Sequence, residues 1–594
     1  MRKGTGSEGP VRARHRAARR LLVRTSRHGG GWLVGLGLAG LGLAGAETAL
    51  PAVLGRAVDA VVGRAPGSWL AWVVLLVALL AACDVLDDLA EGGATASSTA
   101  WLRRSVLHHL LRLDTPTAGR FTPGDLASRL VGNAADAGRV TPFMVQAGTN
   151  LLLGLGSAVA LALIDPWLCV TFLAGMPLLA LIVRTFAREA SVTARHYLDV
   201  QGRIAARLVD AVSGARTIAA AGTVERETQR VLAPLPELQA HGREMWRQQG
   251  RFAALDALLP PLLGIVVLTV AGAELARGRI TPGEMLAAGQ YALLGTALTS
   301  AVTSVRRLVQ AHAAAGRAAE VLGEAPVAYG DADLPEGRGR LEFRGVGVQT
   351  GGRHVLEGVD LAVPAGALVA LVGRTGAGKS LLARLAGRLL DPDEGEVLLD
   401  GVALPRLKRE ALRRAITYAF ERPALIGQML EDVIAFGPRR PSAEELAAAA
   451  CAAQADTFIR RMPEGYRTPL AQASMSGGES QRVGLARAFA HAGRILVLDD
   501  VVASLDTVTE HEITRVLTGG LADRTRLIVA HRASTAARAD FVVWLEQGQV
   551  RAVAPHRVLW GEAAYRALFG PDLFEPDPPS AAAAPEAARS GEVA

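Results

Sequence analysis

The stretch ALVALVGRTGAGKSLLARLAGRLL, Ala367 to Leu390, decides the fold of the C-terminal half of the chain. Its first six residues are apolar and predict a buried strand, whereas the run rich in Leu, Ala and Arg after Ser380 predicts a helix. Between them, GRTGAGKS fits the strand–GxxxxGK(S/T)–helix pattern of a phosphate-binding loop. Glycines let such a loop turn its backbone N–H groups inward onto phosphate oxygens. The predicted phosphate-binding residues are Gly373, Arg374, Thr375, Gly376, Ala377, Gly378, Lys379 and Ser380.

A second apolar strand, ILVL at 495–498, ends in two carboxylates, Asp499 and Asp500. Asp499 occupies the strand-end position from which a carboxylate supports Mg²⁺ beside a bound nucleotide. Lys379 is expected to reach the β- and γ-phosphates, and the Ser380 hydroxyl is expected to bind Mg²⁺. The C-terminal half is therefore predicted to be an α/β nucleotide-binding domain.

Composition separates the two halves of the chain, which has 594 residues and is too long for one ordinary domain. Long apolar runs fill the first half, and the second half has the composition of a soluble α/β protein. The net charge is +7, and only three of the 64 basic residues are lysines, one of which is Lys379. The three cysteines, Cys83, Cys169 and Cys451, are far apart, so neither a disulfide framework nor a zinc site is expected.

Apolar segments long enough, or nearly long enough, to span a bilayer recur through residue 302. The six predicted spans are residues 31–55, 69–88, 142–164, 167–187, 255–276 and 284–304. Nine Lys or Arg residues precede Gly29, and many arginines fill the long stretches after the second and fourth spans. By the positive-inside rule the tail and both stretches are cytoplasmic, and six spans return the C-terminal half to the cytoplasm. A cleaved signal peptide is the alternative for residues 1–50, but the apolar run is too long for one.

The first span combines small residues with a carboxylate, Glu47. Its glycines would let a neighbouring helix approach closely. These glycines are Gly35, Gly37, Gly40, Gly42 and Gly45. A carboxylate at this depth is costly in lipid and is often functional. Two interpretations of Glu47 stay open: contact with a transported molecule, or an interfacial or helix-packing role.

Further motifs resemble those of the ATP-binding cassette (ABC) family, specifically its exporter-type half-transporters. SMSGGESQR at 474–482 is similar to the family's signature, with Glu479 in place of the common glutamine. Three other segments resemble family motifs: FTPGDLASRL at 121–130, Ser504-Leu505-Asp506, and LIVAHR at 527–532. The resemblance covers about residues 20–570, and its motifs are specific in combination.

The resemblance implies an all-α six-helix transmembrane domain of the type IV ABC exporter kind, fused to an α/β phosphate-loop nucleotide-binding domain. ATP and Mg²⁺ are the implied cofactors. The expected organisation is a basic cytoplasmic tail at 1–28, the transmembrane domain at 29–312, a linker at 313–338, the ATP-binding cassette domain at 339–570 and a disordered tail at 571–594.

The resemblance also implies that two nucleotide-binding domains close around ATP. Each ATP would lie between the phosphate loop of one chain and the signature of the other. Signature residues Ser476, Gly477, Gly478 and Glu479 would then serve the partner's nucleotide. His531 would contact the γ-phosphate, and Asp506 would contact the partner domain. Because one nucleotide-binding domain cannot complete a site, a dimer is implied.

Three residues depart from the family's pattern, and all belong to the same half-site. Asp500 stands where the family has a glutamate that is taken to activate the attacking water, and its carboxylate is retracted by about 1.5 Å, one carbon–carbon bond. A base must lie within about 2.6–3.2 Å of its proton donor, directly or through a water, so Asp500 is expected to be a poor base unless a bridging water restores its reach. Thr350 stands where the family has an aromatic platform for adenine, and Glu421 where it has a γ-phosphate-sensing glutamine.

These departures favour the hydrolysis-poor member of a heterodimeric pair over a homodimer. The expected function is ATP-driven export of a hydrophobic or amphipathic small molecule, lipid or peptide across the bacterial inner membrane, with the nucleotide-binding domain in the cytoplasm. Two alternatives stay open: an importer of a metal-chelating small molecule with the same architecture, and a nucleotide-dependent regulatory membrane protein without transport. The expected partners are a second half-transporter, the lipid bilayer and the transported molecule; no nucleic acid is expected.

Overall fold

The structure is a computed structural model that describes residues 10–501 and 506–569. The chain forms two compact units, which are Met1–Leu113 with Arg120–Ala325, and Asp114–Gly119 with Pro326–Ala594. The first unit is helical, and the second contains both β-sheets.

Long helices dominate the chain before the first strand. In order they are α1 (Pro10–Arg27), α2 (Gly31–Val61), α3 (Trp69–Leu110), α4 (Thr115–Gly119), α5 (Pro123–Ser128), α6 (Ala134–Gly138), α7 (Val140–Ile164), α8 (Pro166–Ser213), α9 (Ala215–Ala220), α10 (Val224–Leu232), α11 (Leu235–Ala276), α12 (Pro282–Gly295) and α13 (Ala297–Gly323). A π-helical turn, Arg129–Asn133, lies between α5 and α6.

The six predicted spans fall in α2, α3, α7, α8, α11 and the pair α12 and α13. Among the described residues, four helical segments are long and apolar enough to cross a membrane: Gly31–Val61, Trp69–Leu110, Pro123–Ile164 and Val224–Ala276. A shorter apolar helix covers Pro166–Pro177. Helix α8 has 48 residues and is roughly 72 Å long, more than twice the roughly 30 Å of a bilayer core. The polar stretches between spans are therefore largely continuations of the long helices.

Helix α13 continues through residues that the sequence analysis assigned to a linker, as far as Gly323. The physical reason is a stripe of small residues at helical spacing. Ala311, Ala314, Ala315 and Ala318 are all buried, so this segment packs as a helix. The non-helical part of the predicted linker therefore begins after Gly323. The other predicted domain boundaries stay predictions.

Two of the predicted close-approach glycines in α2 are in tight contact with other helices. A Cβ at Gly40 would lie 3.0 Å from Thr149 Oγ1, and a Cβ at Gly42 would lie 2.8 Å from Cys83 Sγ. At Gly37 and Gly45 a Cβ would meet open space. The prediction of close helix packing is therefore confirmed for part of the glycine series.

Asp59, near the end of α2, joins that helix to the start of α12. Its carboxylate accepts hydrogen bonds from Thr281 Oγ1 at 2.7 Å and from the backbone N–H of Gly283 at 3.0 Å. Asp59 is buried, and Gly283 lies against Gly55 so closely that no side chain would fit. The carboxylate thus satisfies the Gly283 N–H, a helix N-terminal donor that would otherwise be buried without a partner.

Within its described residues, the second unit contains ten strands: β1 (Leu341–Thr350), β2 (Arg353–Val363), β3 (Leu368–Val372), β4 (Glu394–Leu399), β5 (Val402–Ala403), β6 (Ile416–Phe420), β7 (Ile495–Asp499), β8 (Thr525–Val529), β9 (Phe541–Glu546) and β10 (Gln549–Ala554). Its helices are α14 (Lys379–Ala386), α15 (Arg409–Ala415), α16 (Leu430–Ala435), α17 (Ala443–Ala452), α18 (Asp456–Arg461), α19 (Gly477–Ala490), α20 (Thr507–Thr518), α21 (Ala533–Ala537), α22 (His556–Leu559) and α23 (Ala563–Arg566).

These strands form two sheets, in the orders β2-β1-β4-β5 and β10-β9-β3-β8-β7-β6. In the larger sheet the strands from β9 to β6 are parallel, and only β10 is antiparallel to its neighbour. All residues of β3 and β8 are buried, as are the first four of β7. The central strands of this sheet are covered on both faces, and this is why they appear in the sequence as unbroken apolar runs.

Replacing Asp59 by alanine tests the link between α2 and α12. Asp59→Ala should lower the free energy of unfolding by about 1–3 kcal/mol, because the buried Gly283 N–H and the half-buried Thr281 hydroxyl lose their acceptor. Asp59→Asn, which keeps one acceptor oxygen, should cost less. Thermal unfolding of the purified full-length protein in one detergent measures both. Equal melting temperatures for wild type and Asp59→Ala would show that the carboxylate does not stabilise the unit.

Candidate functional site

The candidate site lies where three parallel strands end at one edge of the larger sheet. In β3 and β8, Leu371 is paired with Val529, and in β7 and β8, Leu498 is paired with Ile528. The chain leaves β3 into the phosphate loop, β7 into Asp500, and β8 toward His531. The register therefore brings three sequence-distant motifs to the same edge.

The phosphate loop depends on glycines at two close approaches. Gly378 has φ 97°, and a Cβ there would lie 2.5 Å from a methyl group of Leu356. A Cβ at Gly373 would lie 2.3 Å from the carbonyl oxygen of Leu545. Any other residue at either position would force the loop off its neighbours, so the glycines fix its path.

Lys379 is held inside this loop. It is buried, and its Nζ donates to the carbonyl oxygens of Gly373 at 2.7 Å and Arg374 at 3.1 Å. Burial lowers the pKa of Lys379, and the charges of Asp500 and Asp499 act in the opposite direction. A phosphate oxygen would compensate the buried ammonium group in the same way as these carboxylates.

Ser380 and Asp499, the two residues predicted to hold Mg²⁺, lie together in the structure although they are 119 residues apart in the sequence. The Ser380 hydroxyl donates to Asp499 Oδ1 at 2.8 Å. A hydroxyl and a carboxylate are hard oxygen donors of the type that Mg²⁺ prefers, so this pair fits the ion. Among residues 10–501 and 506–569, no group of three or more His, Cys, Asp or Glu could hold a metal. Further ligands would have to come from nucleotide phosphates and water.

Asp500 takes a backbone conformation that is uncommon for residues other than glycine. Its φ is 54°, in the left-handed region, which aspartate tolerates better than most residues. The side chain faces the predicted switch residue: Asp500 Oδ2 lies 3.6 Å from His531 Nε2. Burial raises the pKa of Asp500; the charges of Glu421 and Asp499 add to this effect, and His531 and Lys379 oppose it.

Glu421 follows β6 and is exposed, and its Oε1 lies 3.7 Å from Arg422 Nε. The segment after it rests on α19. A Cβ at Gly484 would lie 2.5 Å from Pro423 Cβ, and Arg487 Nη1 donates to the carbonyl oxygen of Ala424 at 2.9 Å. The segment that follows Glu421 is thus packed against and hydrogen-bonded to the helix that begins with the signature.

The signature forms a reciprocal cap at the start of α19. The Glu479 N–H donates to Ser476 Oγ at 3.3 Å, and the Ser476 N–H donates to Glu479 Oε2 at 2.8 Å. The Ser476 hydroxyl also donates to Glu479 Oε2, at 2.9 Å. These hydrogen bonds lower the pKa of Glu479, and the bond from the Ser476 backbone N–H has the largest effect. Glu479, which departs from the common glutamine, therefore has a structural role as the capping-box acid.

One further bond connects this helix to the carboxylate after β7. Gln481 is buried, and its Nε2 donates to the backbone carbonyl oxygen of Asp500 at 3.3 Å. In the described part of the chain, however, no hydrogen bond or ion pair joins Ser476 or Glu479 to the phosphate loop. The signature and the loop are separate features of one chain.

Asp506 caps α20. Its carboxylate accepts from the backbone N–H groups of Val508 at 3.1 Å and Thr509 at 3.0 Å, and from the Thr509 hydroxyl at 2.7 Å. The hydrogen bonds from Thr509 lower the pKa of Asp506, and the one from its backbone N–H has the largest effect. The neighbouring Ser504 and Leu505 lie outside the described residues.

Thr350 is not at the sheet edge but at the tip of the β1–β2 hairpin. It is exposed and is paired with Arg353 across a two-residue turn, Gly351-Gly352, in which both residues have positive φ. The residue predicted to replace the adenine-stacking aromatic ring therefore lies at a hairpin tip, and its role stays a prediction.

Comparisons with known proteins agree with this arrangement. The profile described as "ABC transporter transmembrane region" matches residues 34–297, and the one described as "ABC transporter" matches residues 356–503. The ABC transporter ATP-binding protein RamA of Streptomyces coelicolor is 48% identical over 529 residues, which are 88% of this chain and 83% of that protein. The chain belongs to the ABC transporter family.

Other relatives place the transporter among exporters. An ATP-dependent lipid A-core flippase of Alkalilimnicola ehrlichii is 31% identical, over 77% of this chain and 79% of that protein. The structure of a bacterial Atm1-family ABC exporter with ATP bound superimposes with a TM-score of 0.74 and 25% identity, covering 92% of this chain and 99% of that one. The transporter therefore has the half-transporter architecture of ABC exporters, in which ATP binding and hydrolysis drive transport.

The transporter also contains a buried ion pair that sequence reasoning missed. Glu510 in α20 is buried, ion-paired with Arg532 and bonded to Thr535 Oγ1 at 2.9 Å. Arg532 directly follows His531. Glu510 thus ties the segment that carries His531 to the helix that Asp506 caps. An acidic residue one helical turn after Asp506 was the available signal, but its partner is a tertiary neighbour.

Replacing Glu510 tests this tie. Glu510→Ala should lower the unfolding free energy by about 1–3 kcal/mol, because Arg532 and Thr535 lose a buried acceptor. Glu512→Ala is the matched control: Glu512 forms an exposed pair with Arg515 in the same helix, worth a few tenths of a kcal/mol. Thermal unfolding of the full-length transporter compares the two. Similar losses for both variants would contradict a special role of Glu510.

Proposed function

We propose that the chain is the hydrolysis-poor half of a heterodimeric ABC exporter. The productive ATP site would combine the partner's phosphate loop and catalytic glutamate with this chain's signature. This chain's own phosphate loop would bind ATP and hydrolyse it slowly. Transport would then depend on one strong and one weak site in each dimer.

The environment of Asp500 carries this proposal. Its carboxylate is one methylene shorter than glutamate, is half-buried and lies 3.6 Å from His531 Nε2. A general base must reach the attacking water, directly or through one other water. The Asp500 carboxylate instead points toward His531, the residue proposed to contact the γ-phosphate.

The signature supports the other half of the proposal. Ser476 caps α19, and the N–H groups of Gly477 and Gly478 are in the first turn of that helix. With 14 residues, α19 is long enough to have a helix dipole whose positive end lies at these N–H groups. Backbone N–H groups at a helix N-terminus favour an anion. We therefore assign Ser476, Gly477 and Gly478 to the γ-phosphate of the partner's ATP, with Glu479 holding the cap.

On the chain's own side, we assign the eight loop residues 373–380 to the phosphates of ATP. Ser380 and Asp499 would hold Mg²⁺, which when bound neutralises phosphate charge. His531 would contact the γ-phosphate, Glu421 would sense it, and Asp506 would face the partner domain. Thr350 gives no ring for stacking, so adenine would be held weakly at the hairpin tip.

Substrate and membrane form further parts of the proposal. A relative is named as a lipid A-core flippase, and another, of Mycobacterium tuberculosis, as a multidrug efflux protein. These names favour export of a hydrophobic or amphipathic molecule, lipid or peptide across the bacterial inner membrane. ATP-dependent flux in vesicles separates transport from a purely regulatory role, and the direction of that flux separates export from import of a chelator.

Glu47 is the polar group in α2 that we assign to the transported molecule. It is half-buried, and Asp84 of α3 is close enough to interact with it electrostatically. Two carboxylates on adjacent helices favour a ligand that carries positive charge or hydrogen-bond donors.

Two mutants of this chain, which should affect hydrolysis to very different degrees, test whether the two ATP sites of the dimer are unequal. Lys379→Ala should weaken ATP binding at this chain's own loop roughly tenfold to a hundredfold, because a charge-assisted bond is lost, while most steady-state hydrolysis remains. Ser476→Arg should reduce hydrolysis roughly a hundredfold, because a bulky cation would occupy the γ-phosphate position of the productive site. Site-resolved ATP binding and ATPase activity of the purified complex with its partner measure both.

Ser474→Arg is the matched control for the signature mutant. It adds the same side chain two residues before the cap, at an exposed position, and should leave hydrolysis near wild type. If Lys379→Ala abolishes hydrolysis as completely as Ser476→Arg, both sites are productive and the pair is not unequal.

Glu47→Gln tests the substrate assignment. Removing the charge should reduce transport of a cationic substrate by roughly tenfold, while basal ATPase activity stays unchanged. Vesicle flux with a cationic and a neutral substrate of similar size measures the effect. Unchanged flux of every substrate would place Glu47 in helix packing instead.

A further inference from the structure

Helix α1 presents a row of arginines on the side that faces away from the rest of its unit. Its buried side is Ala18, Leu21 and Thr25, which pack toward α13 and α3. The opposite side carries exposed residues at helical spacing. They include Arg19, Arg20, Val23 and Arg27. We call these four residues the arginine face of α1.

This face has a strong and uncompensated positive charge. Between Glu8 and Glu47 the chain contains no acidic residue. In the described residues, the side chains of Arg19, Arg20 and Arg27 form no hydrogen bond or ion pair; Arg14, on the opposite side of the helix, lies 3.7 Å from Glu320. A row of unpaired guanidinium groups on a packed helix requires anionic groups or water around it.

The position of α1 next to the first membrane-crossing helix indicates which anionic groups lie near it. Helix α1 ends at Arg27, and the first membrane-crossing helix begins at Gly31, after a turn in which Gly30 has φ 58°. Trp32, in the first turn of α2, is 48% exposed, and tryptophan is enriched at the membrane–water boundary. The last turns of α1 therefore lie at the level of the lipid headgroups.

We propose that the arginine face of α1 binds anionic phospholipid headgroups of the cytoplasmic leaflet. Guanidinium groups bind phosphate oxygens in a bidentate manner, and Arg20 and Arg27 lie two turns apart on one line of the helix. Val23 lies between them and is 47% exposed, so it contacts the glycerol and upper acyl region. The lipids would hold α1 against the membrane and, through its buried side, stabilise α13.

The test uses the purified full-length transporter in a neutral detergent. It is titrated with short-chain phosphatidylglycerol, short-chain phosphatidylcholine, and glycerol 3-phosphate, and bound molecules are counted by native mass spectrometry. The anionic lipid should bind more tightly than the zwitterionic one. Arg20→Gln/Arg27→Gln should weaken this binding roughly 25-fold, at about fivefold per arginine.

Two control variants keep the test sharp. Arg216→Gln/Arg226→Gln removes the same charge from exposed positions in α9 and α10, beyond the far end of α8, and should leave lipid binding unchanged. Arg20→Lys/Arg27→Lys should retain most of the affinity. Equal affinity for both lipids, equal losses in the two glutamine variants, or binding of glycerol 3-phosphate as tight as that of the anionic lipid would each overturn the proposal.

Discussion

The parallel register of β3, β7 and β8 is the constraint on which the candidate site depends. Because these strands end at one sheet edge, the phosphate loop, the Asp499–Asp500 pair and His531 meet there although they lie far apart in sequence. The hydrogen bond from Ser380 to Asp499 joins two of these motifs directly. The buried ammonium group of Lys379 makes the arrangement electrostatically selective, since burial disfavours its charge and a polyanion restores it.

Around that edge, polar side chains at helix ends connect the moving parts. Ser476 and Glu479 cap α19, Asp506 caps α20, and Gln481 links α19 to the backbone of Asp500. Glu510 ties α20 to the residue after His531. The phosphate-facing edge is therefore joined by polar contacts to both helices that are proposed to face the partner. In the helical unit, Asp59 fills the same kind of role between α2 and α12.

Sequence alone predicted the parts of the site whose chemistry is local. The phosphate loop and Asp499 were recognisable because strand, loop and helix follow one another directly, and the Ser476–Glu479 cap follows the S-x-x-E pattern. The Glu510–Arg532 pair and the contact between Asp500 and His531 could not be read from the sequence, because they depend on strand order. The helical course of residues 313–323 was missed because alanine, glycine and charge are also typical of linkers, and burial of the alanine stripe depends on neighbouring helices.

The most direct test of the account is the steady-state ATPase activity of the Asp500→Asn variant, purified in complex with its partner. Hydrolysis should stay near wild type, since Asp500 is short, half-buried and turned toward His531. Asp500→Glu, measured beside it, should raise hydrolysis by restoring the reach of the base. Loss of nearly all hydrolysis in Asp500→Asn would contradict the account, because Asp500 would then be a competent base in a productive site.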